Sequence, residues 1–218
     1  MIRIAVLVSG KGRGTNFGAI VDAAADGRVD GEVVGLIATR AECGAVERAR
    51  EHAVPIEILS PKSFASETEY YTALLAALEN YQPDLVCLAG YMRKIPREMV
   101  ARYRGRMMNI HCALVPMFCG EGLYGHKVHE AAIEYGVKFS GCTVHFVDEN
   151  YDTGPVILQR AVPVYNDDTA DTLAERVLKE EHVAYPKAIQ LFAAGRLRVE
   201  GRKVTILPAE AVRGRGGR

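Results

Sequence analysis

The sequence predicts an α/β protein: a doubly wound, mostly parallel sheet flanked by helices on both faces, with an antiparallel addition in the C-terminal half. Three observations carry that expectation. The chain opens on an almost uniformly apolar, β-branched run, three similar runs follow with helical periodicity between them, and past residue 104 this rhythm gives way to strands separated by turn residues.

Residues 2–8 (I-R-I-A-V-L-V) have the pattern of a strand buried on both faces of a parallel sheet. Segments 32–38, 55–59 and 84–89 read alike, and helical patterns lie between them at 16–27, 43–52 and 67–80. In the last of these, Tyr71, Leu74, Leu75 and Leu78 recur at i, i+3, i+4, i+7, which is one face of a helix. Strand alternating with helix is the signature of βαβ units. Beyond 104 we expect a short strand at 106–110, a Gly-, Cys- and His-bearing loop at 111–125 and a helix at 126–135. Strands at 141–147 and 155–164 follow, joined by the turn-rich 148–154. Residues 169–191 read as a long amphipathic helix, capped at Asp168 or Thr169 and bent or broken around Pro186. Segments 197–199 and 203–207 flank a Glu-Gly turn and predict a hairpin. With no internal repeat and no linker composition, the expectation is one domain over 1–208 and a disordered tail from 209, its Gly- and Arg-rich end running over 211–218.

The chain has 218 residues, with 27 Lys plus Arg against 27 Asp plus Glu. A formal charge of zero argues against an electrostatic nucleic-acid binder or a polybasic membrane protein. No apolar run approaches the ~18 residues of a membrane span. The amino terminus has no small-residue cleavage site after its apolar run, so it reads as a strand and not as a signal peptide. The five cysteines, Cys43, Cys87, Cys112, Cys119 and Cys142, form an odd set without C-x-x-C spacing, so the expectation is reduced thiols in a cytoplasmic protein. Cys87 and Cys142 lie in apolar strands, where a thiol behaves as a small hydrophobe.

Chemistry concentrates at a few places. Residues 9–16, S-G-K-G-R-G-T-N, follow a buried strand and open a helix, so backbone N–H groups and the helix dipole form an anion site whose natural guest is phosphate. The spacing is neither the dinucleotide fingerprint nor the Walker pattern. The glycines also fit a plain strand-to-helix turn, with Thr15 and Asn16 as caps. The second place is Asn109-Ile110-His111, just past a short strand where a doubly wound sheet has its crevice. Extended backbone sends Asn109 and His111 to one side and Ile110 to the other. The third is Asp152, in a loop closed by Gly154-Pro155; a carboxylate beside an imidazole raises its pKa and can relay a proton. A rival grouping, His111, Cys112, Cys119, His126 and His129, holds every ligand type zinc prefers but matches no zinc pattern, so no metal is expected.

The ordered set of these motifs resembles the folate-dependent formyltransferases, and within them the branch that formylates glycinamide ribonucleotide in purine synthesis. The matching segments are S-G-K-G-R-G-T-N, L-A-G-Y-M-R (88–93), M-N-I-H (108–111), S-G-C-T-V-H-F-V-D (140–148), Y-D-T-G-P-V-I-L-Q (151–159) and E-E-H-V-A-Y-P (180–186), spanning residue 1 to about 192. The resemblance implies that Asn109, His111 and Asp152 are a catalytic trio. It implies that Gly14, Thr15 and Asn16 hold the phosphate of the ribonucleotide and that Glu181 approaches its ribose. Met92, Arg93, Lys94 and Ile95, with Val147, Asn109, Asp152 and the 147–152 loop, are implied to line the site of 10-formyltetrahydrofolate, the co-substrate, chiefly through backbone contacts to the pterin. The implied partners are these small molecules, with neither nucleic acid nor membrane, in a monomer or homodimer.

The chain also departs from that family. The usual P-S-L-L-P after N-I-H is Cys112-Ala113-Leu114-Val115-Pro116, which removes a rigid turn and a hydroxyl. Glu67 stands where many relatives carry Arg, and the first loop is two residues longer than the common form. Alternatives within the superfamily are a methionyl-tRNA formyltransferase, a formyltetrahydrofolate deformylase or a paralogue with another acceptor. The first two carry an additional domain for which this chain is expected to lack room. An NADP-dependent oxidoreductase would use the Gly-rich loop and Arg40 but leaves N-I-H and D-T-G-P unexplained. A nucleotide-sensing module would use the same crevice without chemistry.

Overall fold

The computed structural model describes residues 1–10 and 12–210. The chain divides into two compact units, Met1–Met108 and Asn109–Arg218. Of the tail expected from residue 209, positions 211–218 lie outside the described residues.

In the first unit, β1 (Ile2–Val8) pairs in parallel with β2 (Gly31–Ala38) on one side and with β4 (Leu85–Leu88) on the other, while β3 (Ile56–Ile58) pairs in parallel with β2. The order β3-β2-β1-β4 therefore reverses at β1. Ile4, Ala5, Val6 and Leu7 are wholly buried, as a strand covered on both faces requires. The helices are α1 (Thr15–Ala25), α2 (Gly44–Glu51), α3 (Glu67–Tyr81) and α4 (Arg97–Arg102). α3 starts at Ser66, whose hydroxyl accepts from the Glu69 N–H. Its buried Tyr70, Leu74, Ala77 and Leu78 form the apolar stripe, so Leu74 and Leu78 of the expected face are buried while Tyr71 and Leu75 lie half-buried at its edge. α4 was not anticipated; six residues starting after Pro96 are too few to show a helical period.

The boundary between the units falls inside β5 (Met107–His111). The second unit holds α5 (His126–Tyr135), β6 (Phe139–Phe146), β7 (Val156–Pro163), α6 (Ala170–Ala193), β8 (Leu197–Glu200) and β9 (Lys203–Ile206). β6 and β7 are antiparallel, as are β8 and β9, and β7 meets β9 in parallel at Val156 and Lys203. The predicted mixed α/β class, with its antiparallel C-terminal addition, is the one observed. α6 is capped by Thr169 in a reciprocal box with Thr172. It corrects the expected break, because it runs unbroken through Pro186. An interior proline costs about 3 kcal/mol or more, and here Ala184, Tyr185, Pro186, Ala188 and Ile189 are all buried as the helix packs on β6 and β7. Tertiary packing outweighs the lost hydrogen bond.

Candidate active site

The end of β5 sends Asn109 and His111 to one side, and both meet Asp152. Asn109 Nδ2 donates to Asp152 Oδ1 at 3.3 Å, and His111 Nδ1 lies 3.7 Å from Asp152 Oδ2. His111 is 7% exposed and the Asp152 side chain 11%, so this charge sits in a largely dry place. Burial pushes the Asp152 carboxyl up, but contact with His145, the nearby His111 ring and the Gly120 N–H outweigh it, and the net result lies below the ordinary value. His111 Nε2 donates to the Phe118 carbonyl at 2.9 Å, and the Gly120 N–H donates to Asp152 Oδ2 at 3.1 Å.

Local turn chemistry delivers Asp152 to this spot. The Asp148 carboxylate accepts from the Asn150 N–H at 3.1 Å and from the Thr153 hydroxyl at 2.7 Å, folding 148–153 back on itself. Asp152 takes φ 52, left-handed backbone that Asp tolerates better than most residues. The turn closes at Gly154, where a Cβ would stand 1.7 Å from the Phe146 carbonyl oxygen, so only glycine fits.

The inward face of β6 supports both strand end and loop. The Thr143 hydroxyl donates to the Ala113 carbonyl at 2.7 Å and accepts from the Val115 N–H at 3.0 Å, pinning the turn after His111. Two residues on, His145 faces Asn109 with its Nε2 3.2 Å from Nδ2. His145 is a site residue that sequence reasoning missed; a lone histidine in an apolar strand reads as core, and its partner lies 36 positions away.

Glu181 is buried on α6. The Cys112 thiol is pushed up to about 12 by burial and then by the charge of Glu181, so Glu181 lies within electrostatic reach of the residue next to His111. Val147 is half-buried at the mouth of the 147–152 loop. The rival metal ligands go to separate partners: Cys112 to the Gly125 carbonyl, Cys119 to the Pro116 carbonyl, and His126 to Glu130 and Asp171. Among the described residues no set of three or more such side chains converges on a metal position.

In the first unit the Gly-rich loop leaves the carboxyl end of β1, at the point where strand order reverses. Ser9 ties it to the loop after β4: its hydroxyl donates to the Gly90 carbonyl at 3.1 Å and accepts from the Met92 N–H at 2.8 Å. Gly14 is the N-cap of α1, and no side chain among the described residues caps that helix, so Thr15 and Asn16 occupy its first turn and are not its caps. Gly14 is also needed for packing, because with φ 66 a Cβ there would lie 2.2 Å from the Ala45 nitrogen. Met92 and Lys94 are exposed and Ile95 is buried. The Lys94 carbonyl already accepts from the Tyr71 hydroxyl at 2.7 Å. Arg93 lies over the rings of Tyr70 and Tyr71 and is ion-paired with Glu67. The acidic residue that departs from the family pattern thus has a cationic partner.

The sequence profile of the family described as "Formyl transferase" matches residues 2–189. The chain belongs to the formyl transferase family. Among relatives of this formyl transferase, a chloroplastic phosphoribosylglycinamide formyltransferase of Arabidopsis thaliana is 42% identical over 198 residues, covering 90% of this chain and 67% of that protein. The human trifunctional purine biosynthetic protein adenosine-3 is 39% identical over 193 residues, which are 88% of this chain and 18% of that protein. Among solved structures, glycinamide ribonucleotide transformylase 1 from Symbiobacterium toebii superposes with a TM-score of 0.90 at 47% identity, covering 95% of each chain. A formyltetrahydrofolate deformylase from Pseudomonas syringae, 22% identical with a TM-score of 0.84, shares the fold. No helix among the described residues of this formyl transferase is long and apolar enough to cross a membrane.

Proposed function

We propose that the chain transfers the formyl group of 10-formyltetrahydrofolate to the primary amine of glycinamide ribonucleotide, a step of purine synthesis. The observation that carries this reading is the meeting of Asn109 and His111 on the two oxygens of one buried carboxylate, Asp152. The amine attacks the formyl carbon, and a tetrahedral adduct forms whose oxygen becomes negative. Asn109 donates to that oxygen. His111, cationic beside Asp152, adds charge and hands a proton to the departing folate nitrogen as its bond to carbon breaks. Asp152 takes the proton lost by the attacking amine through a water, which leaves formylated product and tetrahydrofolate.

Gly14, Thr15 and Asn16 are assigned to the phosphate, as the uncapped start of α1 favours an anion there. Glu181 is assigned to the ribose. Met92, Arg93, Lys94 and Ile95, together with Asn109, Val147 and Asp152, are assigned to the folate. The acceptor follows the names of the most similar relatives and solved structures. A cytoplasmic location accords with the five cysteine thiols, which form no disulfide among the described residues, and both monomer and homodimer suit the chemistry.

The test is release of tetrahydrofolate by purified protein from 10-formyltetrahydrofolate, with and without glycinamide ribonucleotide. Acceptor-dependent release is expected, falling by about 10²–10³ in Asn109→Ala or His111→Ala, the usual loss for an oxyanion donor. Release without the acceptor would replace this reading with a deformylase. Near-normal turnover in either variant would remove that residue from the mechanism.

A further inference from the structure

We infer that His145 is a positioning residue that sets which way the Asn109 amide faces and leaves one of its N–H groups for the substrate oxygen. The inference deepens the formyl-transfer reading and rests on it.

The His145 ring is 2% exposed and its tautomer follows from its partners. Nδ1 lies 2.8 Å from the Phe146 carbonyl, which can only accept, so the ring proton sits on Nδ1. With the ring neutral, Nε2 presents a lone pair to which Asn109 Nδ2 donates at 3.2 Å; with the ring protonated the same nitrogen faces Asp152 Oδ1 at 3.4 Å, a contact that lowers the Asp152 carboxyl. Asp152 Oδ1 is a second acceptor beside it. A flipped Asn109 amide would point its oxygen at a lone pair and at a carboxylate together, so the pair of acceptors fixes the nitrogen on this side.

The distances also let one N–H serve both acceptors. Nδ2 to Nε2 is 3.2 Å, Nδ2 to Oδ1 is 3.3 Å and Nε2 to Oδ1 is 3.4 Å, a nearly equilateral triangle, so from Nδ2 the acceptors stand about 60° apart. The two N–H bonds of a planar amide diverge by about 120°. In the arrangement we infer, one N–H bisects this angle and serves His145 and Asp152 together, and the other then points away from both. That second N–H is the donor an oxyanion needs. His145 itself touches no reacting atom in this arrangement and acts through Asn109.

A double-mutant cycle tests the inference. His145→Leu should lower kcat for formyl transfer about tenfold or more, short of the full loss of the donor, with little change in either KM. His145→Gln, which returns an acceptor oxygen near the Nε2 position, should recover part of that loss. In an Asn109→Ala background, His145→Leu should cost far less than in wild type, only what its contact with Asp152 contributes. Thermal melts confirm that each variant is folded, and should the leucine variant not fold, the glutamine variant carries the same cycle. A kcat within twofold of wild type, or an equal loss in the Asn109→Ala background, would overturn the inference. An inactive wild-type protein would overturn the functional reading instead. In that case the slowed exchange of the Asn109 side-chain amide, seen by NMR and lost in His145→Leu, still reports the contact.

Discussion

His111 Nε2 is hydrogen-bonded to the Phe118 carbonyl at 2.9 Å, and two residues further on the Gly120 N–H holds Asp152 Oδ2 at 3.1 Å. One short stretch of backbone thus occupies the outward nitrogen of the imidazole and one oxygen of its carboxylate partner. A group that takes up His111 Nε2 must compete with the Phe118 carbonyl.

Phe118 is the weak point of that clasp, because it holds left-handed backbone at φ 50. Phe118→Gly relieves about 1 kcal/mol of backbone strain and loses an edge-to-face contact with Tyr135, at 5.9 Å between centroids, of similar size. The expected outcome is little change in thermal stability and several-fold faster hydrogen exchange of the Gly120 amide. An unchanged exchange rate would mean that the Asp152 bond alone holds the stretch in place.

His129 makes stability depend on pH. Its Nδ1 is buried without a hydrogen-bond partner among the described residues. Burial first, then the charges of His126 and His111, pull its pKa down to about 4 from 6.5. The unfolded chain binds a proton that the folded one refuses, so this contribution is complete above 6.5 and shrinks as pH falls towards 4. The whole span is on the order of 3 kcal/mol. Urea denaturation at pH 7.5 and pH 5 should show wild type losing stability that His129→Leu keeps. His126 works in the opposite sense: Asp171 and then Glu130 raise its pKa, so its contribution is present at low pH and fades as pH rises through the raised value. It is exposed and offsets little.

Two glycines of the first loop separate packing from binding. Gly14→Ala places a Cβ against the Ala45 backbone and should cost several kcal/mol whatever the loop binds. Gly12→Ala meets nothing within 4 Å. It should leave the melting temperature unchanged, yet raise KM for the ribonucleotide several-fold while KM for the folate holds. An unchanged KM would detach the phosphate from this part of the loop.

The parallel strands were legible because burial on both faces writes itself as a continuous apolar run, as in 2–8, and α3 was legible because its stripe repeats at helical spacing. What escaped depends on contacts far apart in sequence. Nothing near Pro186 announces that β6 and β7 will hold α6 together across it. The side on which Asn109 and His111 emerge follows from strand alternation alone, but their meeting with Asp152 depends on a turn stapled by Asp148, which only the family resemblance anticipated. His145 was hidden because its use lies in one nitrogen facing an amide on another strand.

The turn after His111 carries Cys112-Ala113, where the family pattern it resembles has Pro-Ser. The hydroxyl of Thr143 holds that turn by the Ala113 carbonyl and the Val115 N–H, groups that every amino acid except proline supplies alike. A clamp that grips peptide units is blind to side-chain identity. The turn can therefore hold the direction of His111 with different side chains along it, and its shape rests on a threonine some thirty residues away.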